Sequence, residues 1–467
     1  MSPRVARVLV PGALAVVVLV LATWNLSTVP PTWYDEGINL QAARNLARFG
    51  QYGLVYSAPE GVRLFDLQQT TGPTIVAPVA LAFKLFGLGL TQARSVMVLY
   101  SLAAAAGLFV AARQLYGNVV AVMAVLVLCA TNEAGPAATH DVVGEIAGVA
   151  FFVWAIAVWA TKRWYIVSGL LFGLAVLSKG QFGLVLPAIA AAWLFTRANN
   201  DGISARQAFT LGGAALAMIG AWQLTQLVVL TPGGYFTHLT EQSRTLSISS
   251  AVTPLSKTQT AIYNLLISRS AIIALSALAY VAVSGVRRCA SAERMVAIAF
   301  SGMWLVWFLV MSTGFTRYAI PLVAVCSLFA AELAHDLLRL PRLPRLMRTL
   351  VALGMASFIV VSIGLRIRGL TMAVDSGAAE FAAIILREVP AHIEPETIEW
   401  QLDILTERSF HHPLQPAILP YAVPPGVEYL VDGPMSKAFN IYTALLEERP
   451  FERVVSIGEY DLYRRSR

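Results

Sequence analysis

The chain has 467 residues, 57% of them hydrophobic and 13% charged, with a mean hydropathy of +0.65, whereas soluble domains carry roughly 25% charged residues. This excludes an ordinary water-soluble protein and leaves a multi-pass membrane protein. The formal charge of +7 is unevenly placed: Thr371 to Arg467 holds 15 acids and 8 bases, the remainder 12 acids and 26 bases. A basic body with its charge scattered over loops, followed by an acidic tail, excludes nucleic acid as the partner.

A membrane helix needs about 20 mostly apolar residues. On that rule spans are predicted near 8 to 26, 92 to 113, 118 to 132, 140 to 160, 164 to 178, 181 to 196, 207 to 229, 260 to 284, 294 to 313, 316 to 337 and 347 to 367, about eleven in all. The opening "MSPRVARVLVPGALAVVVLVLATW" has the arginines and apolar core of a secretory signal, but the many spans that follow favour a retained first helix. Lys and Arg gather in short cytoplasmic loops. With a cytoplasmic N-terminus, every second connection is basic: Arg4 and Arg7, Arg113, Lys162 and Arg163, Arg197 and Arg206, Arg287, Arg288 and Arg294, then Arg339, Arg342, Arg345 and Arg348. The opposite loops hold Asp35, Glu36, Glu60, Asp66, Glu133 and Glu241; Arg366 and Arg368 are the exceptions. The long loops near 27 to 91 and 230 to 259, and the tail, are therefore assigned outside the cytoplasm in a plasma (inner) membrane protein.

Within the first outer loop, "EGINLQAARNLARFG" has the amphipathic pattern of a helix lying on the bilayer surface. "GPTIVAPVALAFKLFG" (Gly72 to Gly87) is apolar but short, and is read as a second interfacial helix. Asp35 and Glu36 open the first of these. Acids are favoured at a helix N-terminus by the macrodipole, so capping alone also explains them.

The tail from Thr371 mixes a helical stretch, "AAEFAAIILREV", with strand-like pieces, "TIEWQLDIL", "VEYLVDG" and "FERVVSIGEYDLYRR". The fold class expected is thus mainly α: a polytopic membrane helical bundle over residues 1–370, with surface helices in the first outer loop. A small extracytoplasmic α/β or α+β domain follows over 371–467. The three cysteines, Cys129, Cys289 and Cys326, outline no disulfide framework.

Ionisable residues in or beside spans are costly and are the first places to look for chemistry. Four groups fall on the outer side: Asp35 with Glu36; Asp141 and Glu145, spaced i and i+4 in "ATHDVVGEIAG"; Lys179 in the turn "LSKGQFG"; and Arg317 with Tyr318 in "STGFTRYAIP". A carboxylate serves as general base on a hydroxyl, and Lys or Arg neutralises charge growing on a phosphate leaving group. Such a set suits a reaction with a lipid phosphate. A transporter calls instead for charges at the midplane and broken helices in matched halves, which the sequence lacks.

In these residues the sequence resembles the GT-C superfamily of membrane glycosyltransferases, in the branch of protein O-mannosyltransferases, aminoarabinose transferases and their bacterial relatives. The resemblance rests on "YDEGINLQAARNLARFGQYG", "TGPTIVAPVALAFKLFGLGLTQARSVMVLYSLAAAAGLFVAARQLYG", "VVGEIAGVAFFVWAIA", "GLLFGLAVLSKGQFGLVLP" and "TRYAIPLVAV", in that order. It is clearest from about residue 33 to 196, thinner to 340 and weakest in the tail. Many relatives have His-Pro-Pro or Lys-Pro-Pro where this chain has Thr71, Gly72 and Pro73, so no role of that His or Lys is carried over.

The resemblance implies an inverting enzyme that moves a sugar from a polyprenyl-phosphate carrier to an acceptor hydroxyl of a lipid, protein or envelope glycan on the outer face. It implies Asp35 as the base. Glu36 would position the surface helix or the acceptor. Lys179 and Arg317 with Tyr318, and further Arg44, Arg63 and Arg244, are candidates to hold the phosphate; snorkelling to lipid headgroups is the plain alternative for these cations. Asp141 or Glu145 would bind the sugar, orient a cation or pair with an Arg. His140 reads as an interfacial histidine, His411 and His412 as structural or surface residues. No His-Glu-x-x-His or paired Cys-x-x-Cys occurs, which leaves a carboxylate-bound divalent cation open as a cofactor. The stretch "LTPGGYFTHLTEQSRTLSISSAVTPLSKTQ" reads as a mobile lid over the lipid or as a plain connection. A lipid-linked-sugar transporter or flippase and an inactive membrane scaffold are the competing function classes.

Overall fold

Apolar runs without strand periodicity, interrupted by Gly, Pro and charged turns, make this chain a succession of helices. The computed structural model describes residues 3–28, 31–66, 68–69, 71–131, 140–198, 202–249, 254–268, 270–288, 291–341, 343–372, 376–413, 426–448 and 450–466. In chain order the helices are α1 (Pro3–Thr23), α2 (Tyr34–Phe49), α3 (Pro73–Phe86), α4 (Leu90–Tyr116), α5 (Asn118–Ala130), α6 (Gly144–Ala160), α7 (Tyr165–Ser178), α8 (Val185–Thr196) and α9 (Ala205–Ser249). They continue with α10 (Pro254–Ile267), α11 (Ser270–Arg288), α12 (Ala292–Val310), α13 (Ile320–Arg339), α14 (Arg345–Thr371) and α15 (Ala378–Glu388), then the short α16 (Leu402–Thr406), α17 (Pro434–Ala438) and α18 (Thr443–Glu447).

Each of the eleven apolar runs is helical. Among the described residues five helices are long and apolar enough to cross a membrane, Leu90–Tyr116, Ala205–Glu241, Ala292–Val310, Thr316–Arg339 and Arg345–Gly369, and the chain is an integral membrane protein. The predicted eighth span differs: Leu255–Ile267 and Ser270–Ser284 meet at a 99° bend. The predicted loop at 230 to 259 differs too. Helix continues to Ser249 past a break at Thr231, whose φ is 62°, followed by Pro232. Proline has no N–H to donate and suits the first turn of a new helix, so the kink redirects the chain without ending the helix. The remainder of the supposed lid, 250–253, and the side chains of 242–250, Arg244 among them, lie outside the described residues, as do Cys289 and Glu133.

The chain divides into two compact units. One comprises Met1–Trp24, Met97–His140 and Gly144–Thr371; the other comprises Asn25–Val96, Asp141–Val143 and Met372–Arg467. The first is the helical body. Its interior is aromatic: Phe152 stacks on Phe300 with centroids 4.2 Å apart, Phe182 lies 5.0 Å from Trp304, and all four are buried.

In the second unit the tail folds together with the first loop. A small antiparallel hairpin, β1 (Gly53–Val55) with β2 (Val62–Leu64), lies between α2 and α3. The tail sheet runs in the order β3 (Tyr429–Asp432), β5 (Tyr460–Arg465), β4 (Phe451–Ile457), antiparallel throughout. Helix α15 buries Phe381 and Ile385 against Phe410, Val431, Tyr460 and Leu462 of its core. The piece "TIEWQLDIL" is not the strand its alternation implied: only Glu396, just before it, makes isolated bridges, and the rest turns into α16. Tertiary bonds override the local pattern there. Glu399 is buried and accepts from the N–H groups of Met435 (2.8 Å) and Ser436 (3.1 Å) and from Gln401 (2.9 Å); burial holds its carboxyl above the usual range.

Helix α2 is pinned to this tail. Asp403 receives Gln41 Nε2 at 3.2 Å and Arg44 Nη2 at 3.5 Å, and its other oxygen meets His412 Nε2 at 2.6 Å. The His412 ring stacks on Trp400 at 3.8 Å. Gly37 passes so close that a Cβ there would stand 2.3 Å from Gln401 N and 2.6 Å from Trp400 C.

Two outcomes follow from this packing. Gly37→Ala meets backbone that has no room to yield, and should lower stability by about 1–3 kcal/mol, read as a lower thermal unfolding temperature. His411 lies 3.3 Å from Glu396, and this bond, ahead of the opposing burial, raises its pKa. The stabilisation is complete below the unfolded value of about 6.5 and is lost as pH rises through the raised folded value. The unfolding temperature should therefore fall as pH rises from about 6.5 through the raised folded value, and fall less in His411→Gln; Glu399 pulls in the same direction and remains in both proteins.

Candidate active site

The second unit places Asp35 in the first turn of α2, half-buried, after Trp33 in an extended conformation at the N-cap. Tyr34 beside it packs against the tail core of Ile398, Leu430 and Tyr442. Burial, then the Asp35 charge, pushes the Tyr34 phenol above its ordinary value, so it stays protonated and donates to Gln68 Oε1 at 3.1 Å. The next acid has another task. Glu36 is buried and grips Arg94 in a fork, Nε to Oε1 at 2.9 Å and Nη2 to Oε2 at 2.7 Å. Its Oε1 also accepts from the Val142 N–H at 3.3 Å.

Arg94 is a hub. It donates to Leu26 O at 3.0 Å and stands 3.8 Å from Asp141, whose other oxygen accepts from Trp33 Nε1 at 3.2 Å. Asn39, one turn along α2, donates to Val142 O at 2.7 Å and Thr71 Oγ1 at 3.0 Å. Thr71, standing where relatives carry His or Lys, is thus a buried structural partner, and Gly72 and Pro73 start α3.

In the helical body, Gly144 opens α6 where a Cβ would stand 2.1 Å from Ser178 O. That contact brings the start of α6 against the end of α7, and with it Glu145 against Lys179. The Lys179 Nζ lies 3.0 Å from Glu145 Oε1, and Arg317 Nε lies 3.9 Å from the same oxygen. Glu145 and Lys179 are buried and Arg317 is 13% exposed. Tyr318 serves both cations, its ring 5.2 Å from Lys179 Nζ and 4.9 Å from the Arg317 guanidinium, with Arg317 Nη2 donating to its hydroxyl at 3.3 Å. Two cations thus converge on one buried carboxylate, in surroundings where electrostatic interactions are strong.

The remaining candidates fare differently. Glu36 is enclosed by Arg94 and has no face for a substrate. Arg44 is buried against Asp403, and Arg63 is exposed, paired with Glu60 at 3.2 Å and stacked over Tyr56 at 4.9 Å. Asp141 pairs with Arg94 and Trp33, while Glu145 pairs with Lys179 and Arg317, so the two acids answer to different partners. His140 is buried, and among the described residues no three His, Cys, Asp or Glu side chains gather as a metal-ligand set. Arg94 was not singled out from the sequence; the signal was an arginine inside the apolar run "LTQARSVMVLY".

The architecture matches solved membrane proteins. The chain is similar to ArnT from Cupriavidus metallidurans in the apo state, at 16% identity and a TM-score of 0.59, and bound to undecaprenyl phosphate, at 17% and 0.62. Both matches cover 99% of this chain and 98% of that chain. It has the GT-C fold. The GT-C likeness extends to the archaeal oligosaccharyltransferase AglB from Archaeoglobus fulgidus, solved with an inhibitory peptide and a dolichol-phosphate, at 12% identity and a TM-score of 0.61 over 98% of this chain and 74% of that chain. Residues 71–223 match the family model described as dolichyl-phosphate-mannose-protein mannosyltransferase. No curated protein sequence matches.

Removing Arg94 from this arrangement leaves a buried, unpaired Glu36, so Arg94→Met should cost about 3–5 kcal/mol. The double variant Glu36→Leu with Arg94→Met should recover most of that, since well-packed apolar replacements of buried pairs are close to neutral. Thermal unfolding of the three proteins in detergent checks both values.

Proposed function

We propose that this protein is an inverting glycosyltransferase that moves a sugar from a polyprenyl-phosphate carrier to an acceptor hydroxyl on the extracytoplasmic face of the plasma membrane. The observation that carries the reading is the convergence of Lys179 and Arg317 on buried Glu145. Such a site fits the phosphate of a lipid carrier. Support also comes from the family model over residues 71–223 and from GT-C relatives solved with undecaprenyl phosphate and with dolichol-phosphate. The alternation of basic and acidic loops supports the sidedness.

In this mechanism the Asp35 carboxylate takes the proton from the acceptor hydroxyl. The hydroxyl oxygen attacks the anomeric carbon from the face opposite the phosphate, and the carbon–oxygen bond to phosphate breaks, its electron pair leaving with the polyprenyl phosphate. A single displacement inverts the anomeric centre. Lys179 and Arg317 neutralise the charge that grows on the departing phosphate. Glu145 holds the two ammonium and guanidinium groups apart and oriented, and the Tyr318 ring fixes their height. Glu36 and Arg94 position α2 and so the base, with Asp141 completing their charge balance.

Incubating the purified protein with a panel of polyprenyl-phosphate sugars and crude envelope acceptors should release free polyprenyl phosphate. Asp35→Asn should lower the rate about 10²- to 10⁴-fold with the unfolding temperature unchanged, and Lys179→Gln should weaken donor binding. A folded parent protein that releases nothing from any donor would turn the reading toward transport of lipid-linked sugars.

A further inference from the structure

Gln68 lies between β2 and α3, in the same compact unit as Asp35. The backbone there is anchored from within the fold. The Gln68 N–H donates to Asp66 Oδ1 at 2.9 Å, and the same oxygen accepts from the Tyr56 hydroxyl at 2.9 Å; an aspartate bonded to the N–H two residues on imitates a backbone turn. Burial, reinforced by the Asp66 charge, pushes the Tyr56 phenol above its ordinary range, so it stays a donor. Gln68 thus extends a half-buried side chain from a fixed base.

The neighbours of its amide decide which way it faces. Tyr34 donates its hydroxyl to Gln68 Oε1 at 3.1 Å. Burial, then the Asp35 charge, keeps that phenol protonated, with the Trp400 indole N–H directed at the phenol oxygen and opposing them. An indole N–H only donates, so the Tyr34 proton is left for Gln68, and the amide turns its carbonyl, not its NH₂, to Tyr34. Nε2 therefore faces away from Tyr34, and among the described residues it has no partner. A half-buried amide with its carbonyl held and both N–H groups unused is an oriented donor.

Asp35 follows Tyr34 in the first turn of α2, and its charge acts on the same phenol, so base and amide stand at one end of one helix. We propose that Gln68 binds the acceptor, its Nε2 donating to an uncharged oxygen beside the hydroxyl that Asp35 deprotonates, and that this acceptor is a sugar or another polyol. The inference rests on the transferase reading. An amide carries no charge and suits a hydroxyl, whereas a phosphate or carboxylate calls for Arg or Lys. The Nε2 donors stand beside the remaining lone pair of Oε1, and two neighbouring hydroxyls, each both donor and acceptor, answer the pair. A serine or threonine side chain brings no second hydroxyl. With one oxygen held by the base and the next by the amide, the acceptor is fixed in rotation and attack comes from a single hydroxyl.

The test is release of free polyprenyl phosphate by the full chain at saturating polyprenyl-phosphate sugar, with an envelope extract titrated as acceptor. Gln68→Leu should raise the acceptor KM about tenfold, while the donor KM and the unfolding temperature stay those of the parent. Gln68→Glu has the same shape without the donor and should raise it at least as much, so the measurement stands even where the leucine variant does not fold. Tyr34→Phe frees the amide to turn and should raise the acceptor KM about threefold, with no further rise when added to Gln68→Leu. Periodate, which cleaves neighbouring hydroxyls, should destroy the acceptor in the extract, and protease should spare it. An unchanged acceptor KM in both Gln68 variants, an equal rise in the donor KM, or an acceptor that survives periodate and is lost to protease each overturns the proposal. A parent that releases nothing fails the transferase reading itself, and this role with it.

Discussion

Glu36 and Arg94 are both closed off from water, and a charge so placed persists only if it is paired and its remaining hydrogen-bonding capacity is used. The carboxylate receives the guanidinium fork and the Val142 N–H, and the guanidinium turns its free edge to Leu26 O and Asp141. Four separate stretches of chain, the turn after α1, the start of α2, the first turn of α4 and the 141–143 segment, are joined at one point. Because Asp35 is the neighbour of Glu36 on the same helical turn, the position of the proposed base follows from that ion pair. The two adjacent acids thus divide their work by burial, one closed within the fold and one left half-exposed.

The helical body makes a different use of buried charge. Glu145 gathers two cations, since Lys179 and Arg317 both approach the same oxygen. Packing achieves this: Gly144 admits the end of α7, which carries Lys179, and Tyr318 offers its ring to both cations. Arg317, at 13% exposure, keeps partial access to water for this cluster.

The acidic tail acquires a role from its contacts with α2. Asp403 stands between Gln41, Arg44 and His412, and Trp400 backs both His412 and the narrow passage of Gly37. Helix α2 is therefore held from one side by Arg94 and from another by the tail. Without these contacts α2 would be free to roll about its axis, which would move Asp35 by a large part of a helical turn.

Helices and their order were legible in the sequence because a span needs only an apolar run of sufficient length, and the first surface helix was legible because its apolar residues repeat at 3.6. The Asp-Glu pair at its start and the Lys179 turn were visible for the same local reason. The alternation in "TIEWQLDIL" misled, since Glu399 finds its partners in the N–H groups of Met435 and Ser436, and the Gly, Ser and Thr of 231–249 gave no sign that helix would resume after Pro232. Arg44 looked like a surface cation until Asp403, 359 residues on, met it. Arg94 lay unnoticed in an apolar run until the fold set Glu36 against it. By itself the sequence determined which segments are helical and which residues carry charge beside the membrane, since both follow from neighbours a few positions apart. Only the tertiary structure decided which charge answers which, because a buried ion is satisfied by whatever the chain path brings within about 3 Å, and that path spans the whole length of the molecule.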